Sequence, residues 1–524
     1  MKRNILLIGL SALILMGGAA SAQQAASDAN ILKLTLDETI VRALKHNISL
    51  MVAELSPQSS ALSFQAAKEK YYPTLAFNFS KRNTENASYS FLDVAGASNI
   101  TKTNNYSGQI NQLTPIGGTF LMSLSDGITD TTQKGQTINP RYNTQLSFSY
   151  SQPLLQNFGT TITNYSITVA RNNLEMSEWQ FYRTVQDTIY SATQAYWTLA
   201  YSIENLKVQR ASLKLAQDFL DMTQRRVEIG QLAPLDAISA QSEVATREAG
   251  ILAAEAAVKS AEDQIKMLLA MTPEEEKASV SIVPVDQPKY ELRSVDLDQA
   301  LATAMDKRPD LKVSKLGVKS SDLSLMYTKN QMLPSLNLSA GWQSPGISGT
   351  QILYDGNPLF GQVIGNVPGG VGNALKDTFA FKYPNWNIGL TLNISLSNVM
   401  SRANLALAQV SLKQAVLNLQ NTQIQAVLEI RNAVRNLQTT YKQVQAFRAA
   451  RDLGEKKLAA EEEKLRVGLS TNYVVLQYQR DLTTLRVSEL QAIINYNLAQ
   501  AGLERSMGTS LDLRKIKIAD MIGN

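Results

Sequence analysis

Between Asn398 and Leu453 the chain runs for about 56 residues without a proline or a glycine. As an α-helix this stretch is about 85 Å long at ~1.5 Å per residue, several times the ordinary helix of ~11–12 residues. Apolar or small residues recur along it at alternating steps of three and four: Leu405, Ala408, Leu412, Ala415 and Leu419, then Ile430, Val434, Leu437, Tyr441 and Val444. That spacing makes one narrow seam, the pattern of a helix packed along its length as in a coiled coil. A second stretch, Thr160 to Ile229, is also free of proline and glycine. Helices of this length do not fit inside a compact core, so the chain is expected to build something elongated.

Composition narrows the chemistry. The 524 residues contain no cysteine, which removes disulfides, thiolate catalysis and cysteine-held metals together. The single histidine, His46, leaves no basis for a histidine metal site or a Ser/His/Asp triad. A net charge of +5 is small for this length and no long basic run occurs, so no nucleic-acid partner is expected. The first residues read as a secretory signal: Lys2 and Arg3, an apolar core Ile5 to Met16, and a small-residue site Ala20-Ser21-Ala22. The mature chain is expected to begin near Gln23, with residues 1–22 removed. No later stretch approaches 18 continuous apolar residues. A membrane-crossing role therefore calls for a β-barrel.

After a polar lead, Leu36-Asp37-Glu38-Thr39-Ile40 has the acidic start and apolar spacing of a helix, expected to run to about Tyr71. Pro73 then breaks the pattern and the period becomes two: Leu75, Phe77 and Phe79 alternate with Ala76, Asn78 and Ser80. Strands are expected through residues 74–152, including Tyr106 to Leu124 around a Pro115-Ile116-Gly117-Gly118 turn, and Leu146, Phe148 and Tyr150. One face of these strands is apolar. The other carries Ser, Asn, Gln and Thr with almost no charge, which suits a wall between lipid and a water-filled lumen. The long helix 160–229 ends at Gly230, Pro234 opens a helix to about Met271, and Thr272 to Arg293, with its Pro273 and Glu274-Glu275-Glu276, is a connector.

The pattern then restarts. Leu297-Asp298-Gln299-Ala300-Leu301 echoes Leu36 to Ile40 and Pro334 echoes Pro73; 297 − 36 and 334 − 73 are both 261. A helix over 297–332, strands 335–342 and 386–397, a long helix 398–467, a turn at Gly468 and a helix 472–506 follow. Gly468 matches Gly230 and Gln479 matches Gln241, both at offset 238. The shorter offset is explained by an extra β-hairpin in the first copy, near Tyr106 to Leu124. The chain thus reads as two tandem units, 23–293 and 294–524. Two such units supply about four core strands, whereas membrane barrels begin at eight. Closure requires several identical chains in a ring.

The duplicated Leu-Asp starts, Pro73 and Pro334 before strands, and Gln152-Pro153-Leu154-Leu155 leaving the sheet carry a resemblance. So do the turns Arg226-Val227-Glu228-Ile229-Gly230-Gln231-Leu232 and Arg466-Val467-Gly468-Leu469-Ser470-Thr471. In this order the sequence resembles the TolC-like outer-membrane efflux factor family. The resemblance implies an α+β membrane protein: a trimeric, 12-stranded outer-membrane β-barrel continuous with a long periplasmic α-helical barrel. It implies an export duct for small molecules or proteins, without enzymatic activity or cofactor. The implied partners are two further copies of the chain, outer-membrane lipid, a periplasmic adaptor protein, and an inner-membrane pump of RND or ABC type. Ile229, Gly230, Leu232, Val467, Gly468, Leu469, Ser470 and Thr471 would form the periplasmic tip that docks the adaptor. Where the family's type member rings its aperture with acids, this sequence has Val474 and Gln477. Gln477, Gln479, Arg480 and Asp481, with Asp236 after the first turn, are then the aperture candidates.

Two other classes fit less well. A trimeric adhesive coiled coil predicts one β-anchor and no duplication. An enzyme would need a phosphate loop, nucleophile elbow or metal spacing, and none occurs. The run Glu461-Glu462-Glu463 reads as a solvated helix face.

Overall fold

A computed structural model describes residues 31–88, 98–272, 281–291, 293–514 and 516. The expected signal peptide and the Pro273–Glu276 part of the connector lie outside them. In chain order the elements are β1 (Ile31–Leu34), α1 (Leu36–His46), α2 (Ile48–Lys68), β2 (Thr74–Asn86), β3 (Asn99–Leu113), β4 (Thr119–Thr131) and β5 (Ile138–Pro153). Then come α3 (Thr160–Thr163), α4 (Tyr165–Glu228), α5 (Pro234–Leu268), β6 (Ser281–Pro284), α6 (Leu297–Lys307) and α7 (Pro309–Asn330). The chain ends with β7 (Ser335–Tyr354), β8 (Val363–Val367), α8 (Val371–Phe379), β9 (Asn385–Asn393), α9 (Val399–Arg466), α10 (Asn472–Met507) and α11 (Ser510–Leu513). No described helix is long and apolar enough to cross a membrane.

Element starts recur at the spacings read in the sequence. Leu36 and Leu297, Ile48 and Pro309, and Thr74 and Ser335 are each 261 apart, and Pro234 and Asn472 are 238 apart. The expected single helix from Leu36 to about Tyr71 is two. It breaks at Asn47, whose side chain accepts from the Leu50 amide at 3.0 Å and donates to the Leu268 carbonyl at 3.2 Å. Its counterpart 261 residues on is Arg308, where the helix expected over 297–332 also divides. Arg308 is buried and binds Asp310 at 2.6 Å, Glu429 at 2.7 Å and the Ser506 carbonyl at 3.0 Å.

The fold divides into two compact units. The first, Ser56–Glu178 with Lys312–Asn421, holds the large sheet. Its strands run antiparallel in the order β2-β3-β4-β5-β7, with β9 pairing residues 335–343 of β7 and β8 pairing residues 351–354. The four core strands expected are β2, β5, β7 and β9. The hairpin expected near Tyr106 to Leu124 is β3 and β4, which stand inside the sheet between β2 and β5. One cross-strand row reads Leu75, Ile110, Met122, Phe148, Trp342, Trp386. The neighbouring row, pointing to the other face, reads Ala76, Gln109, Ser123, Ser147, Gln343, Asn385. Aromatic contacts reinforce the apolar face, with Phe148 and Trp342 at 5.8 Å and Phe79 and Tyr106 at 5.0 Å. The loop after β7 contains β8 and the helix α8, neither foreseen; α8 rests on β5 and β7 through Thr378, bonded to Thr144 at 2.5 Å.

The second unit comprises the described residues among those up to Leu55, Trp179–Leu311 and those from Thr422 onward. It is helical apart from a parallel pair, β1 with β6, also unforeseen because four-residue strands carry too little periodicity. Leu34 and Ile282 of that pair pack with Ile40, Val185, Ile189 and Ile265 in one core. Tyr196 reaches the pair from α4, donating to the Leu34 carbonyl at 3.2 Å or Asp286 at 3.0 Å, and burial pushes its phenol up to about 12. A second core collects Ile430, Val434, Leu437 and Val444 of the predicted seam against Ala492, Tyr496 and Ala499 of α10. Each such side chain stabilises by about 1.5–3 kcal/mol when fully buried.

Candidate functional site: the helical tips

The two long helices end in the same turn. α4 closes with Gly230 at φ 74° and α9 with Gly468 at φ 82°. At the first, the Gly230 amide donates to the Val227 carbonyl at 3.0 Å and the Gln231 amide to Arg226 at 2.8 Å. At the second, Gly468 donates to Leu465 at 3.2 Å and Leu469 to Lys464 at 2.8 Å. Every atom pair is related by the 238-residue offset. This is the paired hydrogen-bond cap that needs a left-handed residue just past the helix, and glycine supplies it without a Cβ clash. Nothing lies within 4 Å of the position a Cβ would take at either glycine.

The next helices start differently. α5 begins at Pro234, and Asp236 caps it by accepting from the Ala233 amide at 3.3 Å. α10 begins at Asn472, and its turn is tied back by Ser470, whose hydroxyl donates to Glu461 at 2.6 Å. Glu461 also accepts from Lys464 at 3.1 Å, and the Ser470 and Lys464 bonds hold its carboxyl below the usual range. The glutamate run thus splits. Glu462 and Glu463 are exposed, as expected, with Glu463 on Arg466, but Glu461 is turned in against the turn. Leucine at the first turn's equivalent position, Leu232, makes no such tie.

The apolar side chains of the turns face outward. Ile229, Leu235, Val467, Leu469 and Tyr473 are all more than half exposed, Leu469 at 78%. Thr471 is exposed as well. Behind them Phe219, Ala240, Leu458, Leu465, Val475, Leu476 and Leu482 form a buried cluster. The tips are therefore firm at their base and apolar at their surface.

The aperture candidates take separate places. Gln477 and Asp481 are exposed and Val474 is half-buried. Gln479 is turned inward, 4% exposed. Arg480 grips Glu243 of α5, at 2.6 Å and 2.8 Å. Glu243 is the centre of a clasp the sequence reading missed. It is 4% exposed and also accepts from Arg247 at 2.8 Å, while Arg247 donates to Ser212 of α4 at 2.7 Å and Thr483 of α10 at 3.2 Å. One carboxylate so joins α4, α5 and α10. Burial opposes its ionisation, but the hydrogen bonds from Arg480 and Arg247 outweigh this and hold the carboxyl below its ordinary value. The available signal was the four-residue spacing of Glu243 and Arg247. Glu243 is also the 238-offset partner of Asp481, so an acid stands at both positions and is turned differently in each. Among the described residues no group of three or more His, Cys, Asp or Glu is placed to hold a metal ion.

Comparison with known proteins places this architecture. The profile of the outer membrane efflux protein family matches residues 119–270 and 300–509, well over half of the chain. The outer membrane efflux protein BepC of Brucella suis is 22% identical over 503 residues, covering 95% of this chain and 90% of its own. The outer membrane protein TolC of Escherichia coli is 22% identical over 364 residues, covering 66% of this chain and 69% of its own. Among solved structures, that of CusC, described as forming a transmembrane channel, superposes with a TM-score of 0.64 at 15% identity over 90% of this chain and 92% of its own. The chain belongs to the outer membrane efflux protein family.

Proposed function

We propose that this chain forms, as a homotrimer, a passive exit duct through the outer membrane. Each copy is built from two tandem repeats. The sheet contributes to the barrel wall, and the long helices to a tube through the periplasm. The observation that carries this reading is the two-sidedness of the sheet. A mainly apolar face suits lipid, and a Ser-, Asn- and Gln-rich face with almost no charge suits a wide, hydrated lumen of low selectivity.

The gate is placed at the helical tips. The exposed Ile229, Val467 and Leu469 and the half-buried Leu232 around Gly230 and Gly468, with Ser470 and Thr471, form the docking surface for a periplasmic adaptor. An inner-membrane pump of RND or ABC type drives export through that adaptor. The closed state is held by repacked helices at the tip, with Gln477 and Asp481 facing the aperture, and adaptor binding favours the open state. The Glu243 clasp supports such a gate because it fixes α5 and α10 on α4 by few, breakable bonds.

Single-channel conductance in planar bilayers tests the proposal. The wild type is expected to conduct little, and E243Q, which weakens both arginine contacts, to conduct more. Recovery of the protein as a soluble monomer, or equal conductance of the two forms, would overturn it.

A further inference from the structure

The family resemblance implies twelve wall strands, four from each of three chains. The sheet of this chain has six long strands. β3 and β4, of 15 and 13 residues, are as long as β2 and exceed the ~9–11 residues a tilted strand needs to cross a membrane. Three observations favour this hairpin's belonging to the wall over its standing beyond it.

First, its turn lies where the helices meet the sheet. The Ile116 carbonyl accepts from the Gly159 amide at 3.2 Å and from Gln152 at 3.1 Å, and the Gln112 side chain donates to the Tyr71 carbonyl. Tyr71 precedes β2 and Gly159 follows β5, so the hairpin spans the sheet from its helix end upward. Second, it shares the sidedness of its neighbours. Ile110, Met122 and Leu124 continue the apolar face from Leu75 to Trp386, and Gln109, Ser123 and Ser125 continue the polar one. Thr103 to Leu113 and Thr119 to Ser125 contain no charged residue. Third, the register slants across the hairpin as a barrel wall requires. The row from Thr74, the start of β2, crosses Asn111, Leu121 and Ser149 and meets β7 at Gly341, six residues beyond its own start at Ser335. Six residues at ~3.3 Å against four strand spacings of ~4.8 Å is a tilt of about 45°, within the range of closed barrels.

Among the described residues the short β8 lies beside only the far end of β7, and the outer edges of the long strands, β2 and β9, are unpaired. With six alternating strands they run in opposite directions, so the β9 edge of one copy can pair antiparallel with the β2 edge of the next. Their apolar side chains are bare, Phe77 at 78% and Trp386 at 75%. Six strands are too few to close on themselves, since membrane barrels begin at eight. The occupant that fits both edges is a second copy of this chain. We infer that each copy contributes six strands, hairpin included, so that three copies close a barrel of about eighteen strands, some 1.5-fold wider than a twelve-stranded one. This rests on the trimeric duct proposed above.

Cryo-electron microscopy of the full-length protein in lipid nanodiscs, viewed down the barrel axis, tests the inference. A three-fold wall of about eighteen strands supports it. A three-fold wall of twelve, with the hairpin outside, overturns it and leaves the trimeric duct standing. Another copy number with six strands from each chain overturns the trimer and not the hairpin's place in the wall. Because the chain lacks cysteine, single substitutions give a second readout in vesicles. A charged thiol reagent is expected to label Ser123→Cys and spare Met122→Cys, as for the control pair Thr391→Cys and Leu390→Cys in β9. Equal labelling of 122 and 123 beside a discriminating control pair would overturn the inference.

Discussion

The two helical tips have one backbone and two sets of fastenings. Gly230 and Gly468 close α4 and α9 with the same pair of hydrogen bonds, and the matched atoms lie 238 residues apart. The side chains around them have diverged. Glu243 is buried between Arg247 and Arg480, while its counterpart Asp481 is exposed. Ser470 ties its turn to Glu461, while its counterpart Leu232 does not. The difference teaches that the turn geometry is set by a local rule that both turns obey. How firmly each tip is held depends on partners from other helices, and these need not be duplicated.

The sharpest way to break this comparison is at the acids. Glu243→Ala leaves Arg247, 10% exposed, without its carboxylate and is expected to cost about 3 kcal/mol, whereas Asp481→Ala should change stability by less than about 0.5 kcal/mol. Hydrogen exchange of the α5 and α10 amides near the tips measures both, and equal effects would break the asymmetry. The glycines should behave alike: Gly230→Ala and Gly468→Ala each cost about 1–2 kcal/mol, from positive φ alone since the space around them is open. Thermal unfolding of the two variants side by side checks the equality. Ser470→Ala should loosen only the second tip, by about 1 kcal/mol, visible as faster exchange at Leu469 with none at Gln231.

The smallest effect is that of pH. The carboxyls of Glu243 and Glu461 are lower in the fold than in the unfolded chain. Their stabilisation is therefore complete above the unfolded value of about 4.3 and lost as pH falls through the folded ones. Exchange protection at the tips is expected to be flat from neutral pH to about 5 and to decline below about 4, with a shallower decline in E243Q.

Elements that repeat a period are legible in the sequence. The seam of α9 from Ile430 to Val444 is buried at the expected positions, because knobs spaced at three and four must share one side of a helix. The strands from Leu75 to Trp386 were readable from period two. Short elements were not. β1, β6 and α8 span four, four and nine residues and owe their form to partners far away in sequence. The clasp was hidden for a like reason: Glu243 and Arg480 lie 237 residues apart, and nothing local to either says that one is buried and the other bound to it. Gln479 and Arg480 are adjacent on one helix, yet one points into the core and the other onto a neighbour.

The sequence by itself determined the long helices, the two glycine turns, the amphipathic strands and the repeat spacing, since each follows from local backbone preference and side-chain periodicity. Only the tertiary structure decided that the β3–β4 hairpin stands inside the sheet, that Glu461 and Glu243 turn inward, and that Arg480 is held. Those depend on strand neighbours and ion-pair partners brought together by folding, and distance along the chain carries no record of them.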